Sequence, residues 1–348
     1  MARVAIAGAG VVGRLLAWTL SRRGHAVTVF DPAPGAGPAA DGKGAAGFTA
    51  AGMLSPLAEL EHAPPEIARL GLRSLGLWRQ IAAELSQATG EAACAFARFD
   101  DSLLLAHPGD GGAAARVLAR LALAPDIGAP EALNTQALAA LEPSLAPGLN
   151  GWRLAGEGQV FPQRVLPALA EACPASWRWG ERVESVGPGC VLTVSGERCA
   201  CDLAIDARGV GAALANLRGV RGEVLWLYAP GVALNRPLRL MHARHRVYVV
   251  PRPGDVVVVG ASEIESADRS PVSVRTAFEL MGAAVSAIPA LAEARVLHME
   301  TNLRPALPDN LPRVELTDGL LRVGGLFRHG WLIAPALIED ALAAAALH

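Results

Sequence analysis

A glycine-rich turn near the N-terminus constrains the fold more than any other feature of the sequence. The turn reads Gly8-Ala9-Gly10-Val11-Val12-Gly13. Before it, residues 3–7 form a short apolar run that predicts a buried strand, and after it residues 11–23 predict a helix. Residues 26–31 predict a second strand, so the segment forms a β-α-β unit. Such a unit places two parallel strands in one sheet through a right-handed crossover, which indicates an α/β fold.

The spacing of these glycines and the acid that follows them predict a dinucleotide-binding site. Gly8 allows the tight turn, Gly10 lets a pyrophosphate approach the backbone, and Gly13 lets the helix pack closely on the strand. The positive helix end holds the phosphates, and Asp31, at the end of the second strand, accepts hydrogen bonds from an adenosine ribose. The predicted contacts are Gly8, Gly10, Val11, Val12, Gly13 and Asp31. The alternative is an ordinary glycine-rich turn with a capping aspartate, and the motif alone does not separate NAD from FAD.

Length and charge limit the classes of protein to which the chain can belong. Its 348 residues suggest two domains, or one domain interrupted by another. Charged residues make up 18% and the net charge is −2, so there is no electrostatic case for nucleic acid or a polybasic membrane contact. No apolar run approaches the roughly 20 residues of a membrane span, and residues 1–20 lack the pattern of a signal peptide.

The cysteines predict free thiols rather than a disulfide framework or a zinc site. They are Cys94, Cys173, Cys190, Cys199 and Cys201. Their number is odd and their spacing fits no common zinc pattern. Free thiols fit a reducing cytoplasm. His242 and His245 also match no metal pattern, so we predict a cytoplasmic protein without a metal ion.

The rest of the chain predicts helices first and mainly strands after residue 177. Residues 32–47 are rich in Gly, Pro and Ala and predict a loop. The predicted helices cover residues 65–86, 113–124, 163–172, 272–287 and 335–347, with linkers at 108–112 and 143–151. The predicted strands cover residues 182–186, 190–194, 201–206, 223–228, 246–250, 255–260 and 320–323. Pro335 is expected at the first position of the last helix, where its missing N–H would have no partner.

Several further segments, which follow one another in order along the chain, carry a family resemblance. They are Ala50-Ala51-Gly52-Met53-Leu54, Asp206-Ala207-Arg208-Gly209, Val220-Arg221-Gly222-Glu223-Val224, Tyr248-Val249-Val250-Pro251, Leu303-Arg304-Pro305-Ala306-Leu307-Pro308-Asp309-Asn310 and Gly325-Leu326-Phe327-Arg328-His329-Gly330. Together with the N-terminal turn, they resemble the D-amino-acid oxidase family of flavoproteins, and within it the glycine oxidases of thiamine biosynthesis. The sequence departs from the family pattern at Phe48-Thr49, Arg208 and Asn302.

The resemblance implies an α/β protein with a Rossmann-like FAD-binding domain and an inserted α+β substrate domain built on an antiparallel sheet. The FAD-binding domain would comprise residues 1–85, 145–215 and 300–348, and the substrate domain residues 86–144 and 216–299. It also implies FAD, rather than a nicotinamide, as the cofactor. Because no cysteine follows Cys201, we expect FAD to be held without a covalent bond.

The same resemblance implies the residues of the site. Arg304 would bind a substrate carboxylate, whose two oxygens match the planar guanidinium; the alternative is a surface arginine before a proline turn. Tyr248 would hydrogen-bond this carboxylate, or else pack on the core with its hydroxyl at the rim, and Arg328 would lie near substrate and flavin. The implied flavin contacts are Ala51, Gly52, Met53, Val183, Gly209, Gly325, Gly330, Trp331 and Leu332. Glu263 and Glu265 are expected to be solvated loop acids.

The implied reaction is the FAD-dependent oxidative deamination of glycine or of a small D- or N-methyl amino acid. A hydride would pass from the substrate α-carbon to the flavin while the amine is neutral. Either O2, giving H2O2, or a quinone would reoxidise the flavin. The alternatives are a D-amino-acid or sarcosine-type oxidase or dehydrogenase of other specificity, a maturation partner that binds FAD without turnover, and an NAD-dependent dehydrogenase. The sequence leaves a homo-oligomer open.

Overall fold

The computed structural model describes residues 1–39, 44–241 and 246–347. Part of the predicted loop at 32–47 lies outside the described residues, and so do His242 and His245. The helices are α1 Val11–Arg22, α2 Ala46–Thr49, α3 Pro56–Glu59, α4 Pro65–Thr89, α5 Gly111–Leu121, α6 Thr135–Leu141, α7 Pro162–Glu171, α8 Val274–Ala287 and α9 Gly330–Ala344. The strands are β1 Arg3–Ala7, β2 Ala26–Asp31, β3 Met53–Leu54, β4 Ala97–Arg98, β5 Ser102–Ala106, β6 Glu131–Leu133, β7 Asn150–Leu154, β8 Gly158–Val160, β9 Ser176–Trp179, β10 Val183–Gly187, β11 Cys190–Thr193, β12 Arg198–Ala200, β13 Leu203–Asp206, β14 Arg218–Tyr228, β15 Leu238–Met241, β16 Arg246–Arg252, β17 Val256–Gly260, β18 Arg295–Ala306, β19 Arg313–Thr317 and β20 Leu320–Gly324.

The first large sheet is mainly parallel and contains the predicted β-α-β unit. Its six strands follow the order β19-β20-β13-β1-β2-β9. β1 pairs in parallel with both β2 and β13, and only β19 joins in the antiparallel direction. The strands of this sheet come from the beginning, the middle and the last part of the sequence, and β1 lies near the centre of the sheet. Fully buried residues such as Ile6 and Ile205 explain why β1 and β13 read as continuous apolar runs.

The second large sheet is mainly antiparallel and positions the candidate site. Its eight strands follow the order β18-β14-β17-β16-β15-β5-β7-β6. Only β15 and β5 pair in parallel. We propose that the two domains follow the two large sheets. Residues 150–154 then belong to the substrate side, because β7 pairs with β5 in that sheet.

Helix α9 packs against both α1 and α4. The indole rings of Trp78 on α4 and Trp331 on α9 are 5.4 Å apart, and both residues are buried. Among the described residues, no helix combines the length and the apolar character that crossing a bilayer requires.

The last helix differs from the prediction at its start. It begins at Gly330, and Pro335 lies inside it rather than at its first position. Proline has no N–H to donate to the carbonyl four residues earlier, which belongs to Trp331. The Nε1–H of Trp78 donates to that carbonyl instead, at 2.7 Å. A tertiary hydrogen bond thus satisfies the group that the proline leaves unpaired.

Two segments predicted to be linkers are partly regular structure. Helix α5 begins at Gly111, inside the segment 108–112. Strand β7 begins at Asn150, inside the segment 143–151. Helix α5 is the helix predicted over 113–124 and begins two residues earlier, whereas β7 was not predicted, because its pairing with β5 and β6 comes from tertiary contacts.

Candidate functional site

The N-terminal turn adopts a conformation that depends on glycine at two positions. Gly8 has φ +99°, and its N–H donates to the Phe30 carbonyl at 2.8 Å. A Cβ at Gly13 would lie 1.8 Å from the Gly8 carbonyl oxygen, so helix α1 can approach the turn only without a side chain there. At Gly10, by contrast, a Cβ would meet only Ala45, at 3.8 Å. The space beside Gly10 is therefore open.

The start of α1 offers backbone donors to a bound anion. Its first turn carries no acidic residue, and no side chain caps it. The first N–H groups of a helix lack partners within the helix, and the helix dipole adds positive charge there. Asp31 accepts from the N–H groups of Ala9, at 2.6 Å, and Ala33, at 2.8 Å, which fixes its carboxylate beside the turn. These features fit the pyrophosphate and ribose of a dinucleotide such as FAD.

Val183 and Gly209 lie around the end of β13, the strand next to β1. The buried carboxylate of Asp206 accepts two hydrogen bonds from Arg208, each 2.8 Å long. Arg208 also donates to the Val183 carbonyl at 3.3 Å. The arginine that departs from the family pattern is thus folded back onto Asp206, while Gly209, with φ +59°, has open space around its Cα.

A cavity of about 970 Å³ lies between the 50–53 segment, the start of α9 and one face of the eight-stranded sheet. Of the predicted site residues, it is lined by Ala51, Gly52, Met53, Tyr248, Arg304, Arg328, Trp331 and Leu332. The structure thus brings together residues that the sequence separates widely. Gly325 and Gly330 adjoin this group but do not line the cavity. Gly325 has φ +72°, and a Cβ there would lie 2.8 Å from a Leu307 methyl carbon.

Two glycines in the middle of strands make room for the side chains of Tyr248 and Arg304. Tyr248 pairs with Gly260 across β16 and β17, and a Cβ at Gly260 would lie 2.4 Å from Cζ of Tyr248. A Cβ at Gly222, on β14, would lie 2.6 Å from Cζ of Arg304. Both polar side chains therefore lie across sheet positions that have no side chain of their own. The sequence reasoning gave neither glycine a role.

Arg304 has hydrogen-bond partners that hold it in place without neutralising it. Its Nη1 donates to the carbonyl oxygens of Ser262, at 2.9 Å, and Arg221, at 3.3 Å. Burial lowers the pKa of Arg304, while Tyr248 and Glu263 raise it in part. A half-buried guanidinium held only by carbonyls is suited to bind a carboxylate, because the anion supplies the missing charge and two acceptors.

Tyr248 supplies a hydroxyl in its protonated form. Burial raises its pKa, and nearby Arg304 and Arg252 offset only part of that rise. A phenol that keeps its proton can donate a hydrogen bond to an anion. Arg252 follows on the same strand and donates to the Ala51 carbonyl and, at 2.6 Å, to Gln159. It ties the 50–53 segment to the sheet.

Glu59, at the end of α3, is the centre of a buried charge cluster in the cavity wall. It accepts from Arg328 Nε at 3.1 Å and Nη2 at 3.0 Å, and from Arg239 Nη2 at 2.9 Å. His329 Nδ1 lies 3.1 Å from the same carboxylate. Burial alone would raise the pKa of Glu59, but Arg328, Arg239 and His329 outweigh it and hold the pKa well below its ordinary value. Glu59 is therefore an anion here, not a base.

Glu263 is an exposed loop acid, as expected, but it also borders the cavity. Its carboxylate lies 3.6 Å from Nη1 of Arg328. It is thus part of the electrostatics of the site as well as partly solvated. Glu265 faces away and pairs with Arg218 at 2.9 Å, as a loop acid would.

The start of α9 adds positive potential to the same cavity. Its first turn has no side-chain cap and no acidic residue. Gly330 lies against the start of α1, where a Cβ would be 3.9 Å from Val11. Trp331 fixes the helix by donating to the Gly47 carbonyl at 3.0 Å. Uncapped N–H groups at this point can stabilise negative charge on a bound ring system.

The chain is similar over nearly its whole length to a known protein family and to named proteins. The model of the family described as "FAD dependent oxidoreductase" matches residues 3–342. A Rhizobium etli protein named as the thiamine biosynthesis oxidoreductase ThiO is 37% identical over 97% of this chain and 94% of its own length. The glycine oxidase of Geobacillus kaustophilus is 27% identical over 95% of this chain and 89% of its own length.

Solved structures show the same fold. The crystal structure of glycine oxidase from Geobacillus kaustophilus superposes with a TM-score of 0.82, at 24% identity over 99% of this chain and 95% of that one. The crystal structure of an iminodiacetate oxidase from Chelativorans sp. BNC1 superposes with a TM-score of 0.80, at 25% identity over 99% of this chain and 95% of that one.

Proposed function

Because this chain belongs to the family of FAD-dependent oxidoreductases, we propose that it oxidises the C–N bond of glycine or a similarly small amino acid. FAD is its cofactor. In this proposal O2 is the electron acceptor and H2O2 a product. The name of the Rhizobium etli relative supports a role in thiamine biosynthesis, where the imine product would be consumed.

The observation that carries the substrate class is the state of Arg304. It is half-buried, it faces the cavity, and its hydrogen-bond acceptors in the described residues are carbonyl oxygens. The protonated hydroxyl of Tyr248 lines the same cavity. The carboxylate of an amino acid could bind both groups. The guanidinium of Arg304 would supply positive charge and hydrogen-bond donors, and the hydroxyl of Tyr248 would supply a further donor.

The chain's own residues position the substrate and supply charge. Arg304 and Tyr248 hold the carboxylate, which fixes the α-carbon within the cavity. Glu59 keeps Arg328 in place and does not remove a proton, because its pKa is held well below the ordinary value. The proposal needs the substrate amine to be neutral when the hydride leaves and assigns Glu59 no part in removing its proton. The starts of α1 and α9 and Arg328 favour negative charge in the cofactor region.

FAD, when bound, supplies the electron acceptor for the hydride that leaves the α-carbon. The residues that would hold it are the N-terminal turn with Asp31, the region of Val183 and Gly209, and the segment 50–53. We propose non-covalent binding, because none of the cysteines lines the cavity.

An anaerobic reduction screen tests the proposal. The purified yellow holoenzyme is mixed without O2 with glycine, sarcosine, D-alanine or D-proline, and the flavin absorbance is followed. We expect glycine to bleach the flavin, and readmitted air to restore it with the release of H2O2. A preference for D-proline or sarcosine would move the substrate to the second candidate, a D-amino-acid or sarcosine-type oxidase. A flavin that no amino acid reduces would overturn the proposal.

A further inference from the structure

We propose that Glu59 sets the charge that the cavity presents to a substrate, and thereby selects amino acids with one carboxylate over those with two. The inference rests on the proposed function and concerns the specificity of the same cavity. It assigns a specificity-determining role to a residue that the sequence reasoning left without one.

Charged side chains of both signs line the cavity. The described lining residues include four guanidinium groups, on Arg239, Arg275, Arg304 and Arg328. They also include three carboxylates, on Glu59, Glu263 and Glu279. Counted without the imidazole of His329, which also lines the cavity, four cations against three anions leave one net positive charge. A substrate with a neutral amine and one carboxylate would cancel that charge, whereas a second carboxylate would leave the wall with excess negative charge.

The arginines of the cavity wall differ in their hydrogen-bond partners. Both oxygens of Glu59 are occupied, Oε1 by Arg239 and Oε2 by Arg328, with His329 beside it. Arg304 has carbonyl oxygens as acceptors instead. The wall therefore has one guanidinium ready for a substrate carboxylate and two that a carboxylate of the protein already satisfies.

The carboxylate of Glu59 is buried in the cavity wall. Glu59 is 7% exposed, so solvent screens its effect weakly. Replacing it with glutamine would keep the shape of the side chain but remove its charge, so Arg239 would lose its carboxylate partner and Arg328 would keep only Glu263, 3.6 Å away. On the same count the wall would carry two net positive charges, which would favour a second carboxylate on the ligand. A ligand with two carboxylates at the ends of a short chain, such as iminodiacetate, has the required chemistry.

The test uses the holoenzyme and its E59Q variant, with two pairs of compounds. Acetate and glutarate are non-reactive ligands with one and two carboxylates, and their Kd values are measured by calorimetry. Glycine and iminodiacetate are the corresponding substrates, and their kcat/KM values are measured by flavin reduction. We expect E59Q to shift the glutarate-to-acetate affinity ratio toward glutarate by at least about tenfold, and kcat/KM in the same direction. Glu66→Gln, an exposed acid on α4, is the matched control.

An unchanged ratio in E59Q would overturn the proposal. If E59Q does not accumulate as a folded protein, the comparison moves to R239M and E59Q/R239M. On the same count the cavity wall has no net charge in R239M and one net positive charge in E59Q/R239M. The double variant should therefore favour glutarate more than R239M does. Equal ratios in those two variants would also overturn it. Failure of the proposed function would be seen separately, as a wild-type flavin that glycine does not reduce, while the calorimetry still measures the effect of Glu59.

Discussion

The ring of Tyr248 occupies the space that a side chain at Gly260 would fill, because a Cβ there would lie 2.4 Å from Cζ of Tyr248. Gly260→Ala should therefore push the tyrosine out of position. We expect KM for the amino acid to rise by about tenfold or more, since a misplaced hydroxyl loses a charge-assisted hydrogen bond worth about 1.5–3 kcal/mol. Steady-state kinetics measures the change. Gly187→Ala, at a strand glycine with nothing within 4 Å, should leave KM as in the wild type.

Arg304→Met should remove the carboxylate-binding group. Loss of one partner of a half-buried charge pair costs roughly 3–5 kcal/mol, so kcat/KM should fall by hundreds-fold or more. Acetate affinity should fall with it, which calorimetry can detect without turnover. Arg69→Met, at an exposed arginine that pairs with Asp126, is the control. Wild-type kcat/KM in R304M would remove this residue from the site.

Gly10 and Gly13 should respond differently to alanine. Gly13→Ala places a Cβ 1.8 Å from a backbone oxygen, so the turn cannot form and the apoprotein should be destabilised. Gly10→Ala meets no neighbour closer than 3.8 Å, so the apoprotein should fold with an unchanged Tm. Its methyl group should nevertheless block the approach of a pyrophosphate. Fluorescence titration should show FAD affinity reduced by at least about tenfold. Equal FAD affinity in G10A and wild type would contradict this prediction.

Glu157 should make stability depend on pH. Burial raises the pKa of Glu157 to about 7 from an ordinary 4.5, although Ser102, Ser55 and Leu57 donate hydrogen bonds to it. As pH rises through this window, the unfolded chain releases the proton while the folded chain keeps it, so the free energy of unfolding falls. The loss should reach roughly 3 kcal/mol.

The E157Q variant isolates this effect. The free energy of unfolding is measured with urea for wild type and E157Q at pH 5, 6, 7 and 8. As pH rises, that of the wild type should fall relative to that of E157Q. Glu66→Gln should run parallel to wild type across the series. Parallel curves for E157Q as well would show that Glu157 titrates normally in the fold.

A backbone hydrogen bond from residue 335 should be able to replace the hydrogen bond that Trp78 donates to the Trp331 carbonyl. Trp78→Phe leaves this buried carbonyl without its donor, which costs about 1–3 kcal/mol beyond the lost packing. Pro335→Ala supplies an N–H four residues further along the helix, which can donate to that carbonyl. P335A should therefore stabilise the W78F protein more than it stabilises the wild type. Thermal unfolding of the four proteins measures the coupling, and additive effects would argue against it.

The pattern of apolar residues and glycines predicted the N-terminal β-α-β unit. The strands at 3–7 and 26–31 and the helix between them are present within a residue of the expected bounds. The family resemblance and its FAD cofactor are confirmed by the family match over residues 3–342. The individual site residues remain predictions, although the structure collects Arg304, Tyr248 and Arg328 around one cavity.

Tertiary contacts decided what the sequence could not indicate. Glu59 lies 180 residues from Arg239 and 269 from Arg328, and no local spacing links an acid in a four-residue helix to either partner. Gly222 and Gly260 leave room for the side chains of Arg304 and Tyr248 on other strands. The alternation of apolar and polar residues along one strand does not show which strands are its neighbours. The sequence predicts Pro335 at the start of a helix, where a missing N–H leaves no group unpaired. It can lie inside α9 because Trp78 on α4 donates the hydrogen bond that Pro335 cannot, and local sequence does not show this contact.

The interleaving of the two sheets has a consequence for synthesis on the ribosome. β1 and β2 are made well before the strands beside them. The outer neighbour of β1 is β13, at residues 203–206, and β20, which pairs with β13, follows only at residues 320–324. The strands of the other sheet are translated in the interval. The nascent chain must therefore carry an open sheet edge until β13 has been made. The N-terminal turn gains its neighbour at the start of α9 later still, after residue 330.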